Sequence, residues 1–162
     1  VDGIKLIATS DKTMSVVSSP ATLNGTTYNY ALSLGGAGSS AYRAISIPVN
    51  GSSTIKVTAK SSGSDTRVLT AVNDSGNQIG TINAGASLAT GSVTVNGTGN
   101  IYIYSTNKGI NIYKVQLDTT GTLPSGSSSS SSSPSTTTSS RDPPDGMRWS
   151  AAIHPCLGRR SR

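Results

Sequence analysis

The first 118 residues of this 162-residue chain contain no histidine, glutamate, phenylalanine, tryptophan or cysteine. Each absence removes a class of function. Acid–base catalysis would fall to five aspartates, Asp2, Asp11, Asp65, Asp74 and Asp118, whereas hydrolytic work needs a close carboxylate pair or a histidine-led arrangement. Asp65 and Asp74 stand in turn-like sequence, where an aspartate side chain typically bonds nearby backbone. A serine nucleophile would have no histidine base, and phosphate-loop and zinc spacings are missing. The segment therefore reads as a non-enzyme. With no cysteine before Cys156, there is no disulfide framework to read. The missing tryptophan argues against a flat indole platform for crystalline polysaccharide. No apolar run approaches the roughly 20 residues of a transmembrane helix, so no membrane partner is expected. No signal-peptide pattern is visible either, as in a secreted chain already processed or a piece of a longer one; an extracellular location is expected.

Charge is sparse as well. Lys5, Lys12, Arg43, Lys56, Lys60, Arg67, Lys108 and Lys114 stand against the five aspartates, a net of about +3 over these 118 residues. Such an excess points to an acidic partner but falls short of what a nucleic-acid binder carries. No apolar heptad suggests assembly, so a monomer is expected.

What the chain does have is short β-branched runs punctuated by Gly, Asn and Ser. Ile4 to Ala8, Thr13 to Val17, Thr27 to Leu34, Tyr42 to Val49, Thr54 to Lys60, Arg67 to Val72 and Gln78 to Ile82 read as strands, with Leu88, Val93 and Val95 marking later ones. Pro48 cannot donate to a ladder, which suits an edge or a strand end. Asn24-Gly25 is a strong hairpin signal. Gly99 to Asp118 reads as a closing hairpin, with Ile101 and Ile103 on one face, Tyr102 and Tyr104 on the other, and Lys108 at its tip. Eight to ten short strands at this spacing predict an all-β fold, an antiparallel β-sandwich of jelly-roll-like form, over residues 1–118. A Ser/Thr/Pro linker over 119–140 and a disordered tail over 141–162 are expected to follow.

The basic residues suggest a site. Lys56 and Lys60 project from one face of one strand, two side-chain repeats apart. Lys108 occupies a turn, and Arg43 and Arg67 flank strands. Such a row could hold carboxylates spaced along an acidic polymer, Arg by bidentate contact and Lys as point charges. Equally, exposed strand lysines keep a sheet edge soluble. Tyr28 with Tyr30, and Tyr102 with Tyr104, offer a rival surface that stacks on neutral sugars such as β-glucan or xylan. Tyrosine is also a favoured strand residue. A third reading is a structural or adhesive spacer beside the Ser-rich linker.

Several motifs resemble one family. They are Gly36-Ala37-Gly38, Tyr42-Arg43-Ala44-Ile45-Ser46, Ile55-Lys56-Val57-Thr58-Ala59 with Ser61-Ser62 and Arg67, and Gly99-Asn100-Ile101-Tyr102-Ile103-Tyr104-Ser105 followed by Gly109-Ile110-Asn111-Ile112-Tyr113. Over about Leu23 to Asp118 the chain resembles carbohydrate-binding module family 77, the β-sandwich modules appended to bacterial pectate lyases. The resemblance implies a non-catalytic module that binds homogalacturonan, the acidic backbone of pectin, through basic side chains. It puts Lys108 and Lys56 or Lys60 first, then Arg43. Arg67 is either a further ligand or a structural partner of Asp65 or of a backbone carbonyl. No cofactor is expected, and a structural calcium ion, possible in principle, is not indicated. The implied partners are pectin and an appended catalytic module.

Overall fold

The computed structural model describes residues 3–120, so most of the expected 119–140 linker and all of the 141–162 tail lie outside the described residues. Among the described residues, ten strands follow one another without a helix: β1 (Lys5–Ile7), β2 (Ser15–Leu23), β3 (Thr26–Ser33), β4 (Ala44–Asn50), β5 (Ser53–Ser61), β6 (Arg67–Val72), β7 (Gln78–Ala84), β8 (Ala89–Val95), β9 (Thr98–Ser105) and β10 (Ile110–Thr119). They form two five-stranded antiparallel sheets, sheet A in the order β1-β4-β9-β6-β7 and sheet B in the order β2-β3-β10-β5-β8. The all-β sandwich expected from the spacing of the runs is the fold observed.

Alternation supplies the core. Ile45, Ile47 and Val49 of β4 and Ile101 and Ile103 of β9 point inward from sheet A; Ile55, Val57 and Ala59 of β5 and Ile110 and Ile112 of β10 meet them from sheet B. Each fully buried Ile, Leu or Val is worth roughly 1.5–3 kcal/mol of transfer free energy, so these short strands cohere through their shared apolar layer. Pro48 sits as the missing donor requires. Strand β1 pairs only with Ala44, Ser46 and the Ile45 between them, so Pro48 has no ladder partner on that side and Gly3 lies against its ring.

The Asn24-Gly25 signal is borne out: β2 and β3 pair around it, with Asn24 and Gly25 both at positive φ. The expected closing hairpin is not. Strand β9 pairs with β4 and β6 in sheet A, while β10 pairs with β3 and β5 in sheet B. Ser105 to Gly109 is therefore an arch between the two sheets. A hairpin would set Ile101 and Ile103 beside Ile110 and Ile112 in one sheet; the arch sets them face to face across the core. Both arrangements produce the same alternation in sequence.

Along one side the sheets close through glycines. A Cβ on Gly91 of β8 would stand 2.4 Å from Ile82 Cγ2 of β7, and one on Gly80 of β7 would stand 3.0 Å from Val93 Cγ1 of β8. Each glycine takes in the branched side chain of the opposite sheet, so β7 and β8 approach more closely than two Cβ-bearing strands could. No unusual backbone angle is involved at Gly91, so its replacement acts by steric overlap alone. Gly91→Ala is expected to cost about 1–3 kcal/mol by overpacking, read as a lower midpoint in urea unfolding. An unchanged midpoint would show that the two edges are not held at this separation.

Candidate functional site

The outer face of sheet B carries the cations that sequence alternation turns away from the core. On β5, Ile55, Val57 and Ala59 are buried, which sends Lys56, Thr58 and Lys60 outward. Cross-strand register then sets the neighbours: Gln116 opposite Lys56, Lys114 opposite Thr58 and Asn111 opposite Lys60 on β10, with Ser92 and Thr90 on β8. Lys56, Lys114 and Lys60 thus zigzag along the face, each one two-residue step, roughly 6.5 Å, above the last. Thr58 and Thr90 join hydroxyls at 2.8 Å beneath them.

One side of this face is a cleft. Strand β3 pairs with β10 only at Ser33–Asn111 and Leu32–Ile112, after which the two strands part. The gap opens into a cleft of about 170 Å³, walled by Leu23, Asn24, Thr26 and Tyr28 on one side and by Lys114 and Gln116 on the other, with Lys56, Thr58 and Thr90 also lining it. Tyr113 stands beside it: its ring meets Tyr28 edge-on at 5.8 Å between centroids, and Lys60 Nζ lies 5.8 Å from its centroid.

The electrostatics are one-sided. Lys56 pairs with Asp118 at 2.7 Å, and Gln116 Nε2 donates to the same carboxylate at 2.8 Å. The Lys56 ammonium, the Gln116 amide and the more distant Lys114 charge hold the Asp118 carboxyl below its ordinary value. Among the described residues, no carboxylate pairs with Lys60 or Lys114. Three ammonium groups and one carboxylate leave the face with two cations to spare.

The other basic residues singled out in the sequence lie elsewhere. Arg67 has its side chain only 10% exposed. It donates through Nε and Nη2 to Asp65 Oδ1 at 3.1 and 2.8 Å, through Nη1 to Ser62 Oγ at 2.6 Å, and to the Gly109 carbonyl. Both structural partners foreseen for it, Asp65 and a backbone carbonyl, are present. Lys108 closes the same clasp at 3.2 Å from Asp65 Oδ2. Arg43, at φ 50, donates to the Thr13 carbonyl at 3.2 Å and lies against Gly35 and Gly36. A Cβ on Gly36 would stand 2.8 Å from its Nη1, so the glycine-rich loop makes room for this guanidinium. Of the five expected binding residues, the structure brings Lys56 and Lys60 together on one face and leaves Arg43, Arg67 and Lys108 off it.

Lys114 was missed, and the reason is local. Strict alternation from Ile110 and Ile112 would turn Lys114 inward. A β-bulge at Tyr113 inserts one residue, so Val115 and Leu117 take the inward positions and Lys114, Gln116 and Asp118 turn out. The three-residue step from Ile112 to Val115 was the available signal. The tyrosines divide too. Tyr28 lines the cleft, while Tyr102, in sheet A, donates its hydroxyl to Asp74 at 3.0 Å. Asp74 also accepts the Asn100 N–H at 2.8 Å; these bonds lower its pKa and raise that of Tyr102.

The clasp sets a pH dependence. Hydrogen bonds from Arg67 and Lys108 push the Asp65 carboxyl well below the usual carboxylate range. A carboxyl depressed by folding contributes its stabilisation fully above its unfolded value of about 3.9 and loses it as pH falls below that. Asp65→Asn is therefore expected to lower Tm at neutral pH and to flatten the fall of Tm between about pH 5 and pH 2. Among the described residues, Asp74 and Asp118 also hold lowered carboxyls and contribute to the slope that remains. A wild-type slope in the variant would show that Asp65 is not coupled to folding.

No protein-family model matches the chain, and no curated protein matches it. Among solved structures it is similar to the CBM36-1 domain of a multidomain xylanase from the hindgut metagenome of Trinervitermes trinervoides, with TM-score 0.43 and 15% identity over 67% of this chain and 99% of that one. It is similar also to the CBM22-1 xylan-binding domain from Paenibacillus barcinonensis Xyn10C, with TM-score 0.44 and 14% identity over 72% and 81% of the two chains. A third is a family 35 carbohydrate binding module from Clostridium thermocellum, with TM-score 0.41 and 16% identity over 71% and 97%.

Proposed function

We propose that this chain is a non-catalytic carbohydrate-binding module that holds an acidic polysaccharide, the homogalacturonan chain of pectin, across the outer face of sheet B. In this reading it acts outside the cell, keeping an attached catalytic module on the plant cell wall. The observation that carries the reading is the zigzag of Lys56, Lys114 and Lys60 over a single carboxylate. Uronates follow one another along the polymer, and ammonium groups one rung apart meet them in succession. Lys56 is loosely committed: its pair with Asp118 is half-exposed to solvent, and such pairs are weak in water. The open cleft suits a length of polymer better than a small enclosed ligand. Thr90 and Gln116 supply hydroxyl and amide groups for the sugar hydroxyls.

Because each exposed contact is weak, useful affinity comes from several at once. Affinity electrophoresis through polygalacturonate should show roughly two- to fivefold weaker retention for each of Lys56→Ala, Lys60→Ala and Lys114→Ala. The triple variant should lose retention. Lys108→Ala, off this face, should retain wild-type affinity. Retention should fall with added salt, which screens exposed charges, and with methyl-esterification, which removes them. Undiminished retention on highly esterified pectin in high salt would overturn the reading. It would favour a neutral glycan stacked on Tyr28, the ring that lines the same cleft.

A further inference from the structure

Strands β3 and β10 are neighbours in sheet B, yet their ladder stops after two residue pairs. Residues 26–31 of β3 are bonded to β2 on one side, and residues 114–119 of β10 to β5 on the other. Their facing edges carry backbone N–H and C=O groups with no strand between them. Two such edges normally zip together, since each rung formed satisfies backbone groups otherwise left to water. Something holds them apart.

The residue at the fork is Tyr113. It is the extra residue of the bulge, next after the last β3–β10 pair. Its hydroxyl reaches past β3 to Ser19 of β2, sharing a hydrogen bond of 2.7 Å. Its ring meets Tyr28 of β3 edge-on. Asn111, two residues earlier, donates Nδ2 to the same Ser19 Oγ at 3.4 Å, while its Oδ1 is buried without a partner. Lys60 lies over the other part of the arrangement, against the Tyr113 ring.

We propose that Tyr113 is a prop that keeps an empty strand position open in sheet B, and that the polysaccharide occupies that position. The inference rests on the reading of sheet B as the glycan-binding face and deepens it. The ligand is then an extended, hydroxyl-rich anionic chain. Its hydroxyls meet the unpaired backbone edges of β3 and β10 while its carboxylates meet Lys56, Lys114 and Lys60. Tyr113 is a positioning residue: it sets the width of the slot and the place of Lys60.

Hydrogen exchange of the full chain tests the prop without any ligand. In Tyr113→Ala the two edges should zip, and amides of residues 26–31 and 114–117 should gain protection, with polygalacturonate affinity falling at least roughly tenfold. Tyr113→Phe keeps the ring but loses the Ser19 bond, so its exchange and affinity should fall between those of wild type and Tyr113→Ala. In wild type, polygalacturonate should protect the same amides. Unchanged or lowered protection at these edges in Tyr113→Ala would overturn the prop, because a residue that merely packs loosens its surroundings when truncated. If wild type binds polygalacturonate with no new protection there, the chain does not lie in the slot, although the cationic-face reading survives. If wild type fails to bind polygalacturonate at all, that reading fails and the proposed occupant fails with it. The prop is judged separately, by the ligand-free exchange.

Discussion

The period-two alternation of β-strands, interrupted once at Tyr113, decides which side chains of sheet B meet the core and which meet solvent. Before the bulge, Ile110 and Ile112 face inward; after it, Val115 and Leu117 do. One inserted residue therefore turns Lys114, Gln116 and Asp118 onto the outer face. Without it, β10 would bury a lysine and expose two apolar side chains. The same residue stands where β3 leaves β10. Charge placement and cleft geometry thus share one local cause.

Cations divide between two kinds of work, and their surroundings show which. Arg67 and Lys108 share Asp65, and Arg67 also ties Ser62 and Gly109 to the start of β6. Those charges are spent in holding the β5–β6 and β9–β10 connections together. Arg43 is spent on the Thr13 carbonyl and the glycine-rich loop. Among the described residues, only Lys56 on the face of sheet B has a carboxylate partner, and that partner is half-exposed. Cations that the fold does not consume remain available to a ligand, which is why the face rather than the clasp is the proposed site.

Each sheet holds one hairpin, and the rest of the chain passes back and forth between the two. Only the β2–β3 and β6–β7 connections link paired neighbours; the others cross from one sheet to the other. Each crossing sets successive apolar runs on opposite sides of the same core. At the β7–β8 side, Gly80 and Gly91 let the two sheets approach closely enough to exclude water. The sandwich is therefore closed by small residues at one side and forked by a large one at the other.

Much was legible in the residues alone. The runs of β-branched residues determined the strands, the absence of helical period determined the all-β class, and Asn24-Gly25 determined one hairpin. The alternation of β5 placed Lys56 and Lys60 together outside the core. Alternation, however, is a local property that reads the same in a hairpin and in an arch, so the partners of β9 and β10 were decided only when the two sheets packed. Whether a cation is spent or spare depends on which carboxylate lies near in space. Asp65 reaches Lys108 across 43 residues of chain and Asp118 reaches Lys56 across 62, distances in sequence that no local pattern spans. The tertiary structure made that choice, because electrostatic and ladder contacts are set by proximity across the folded sheets.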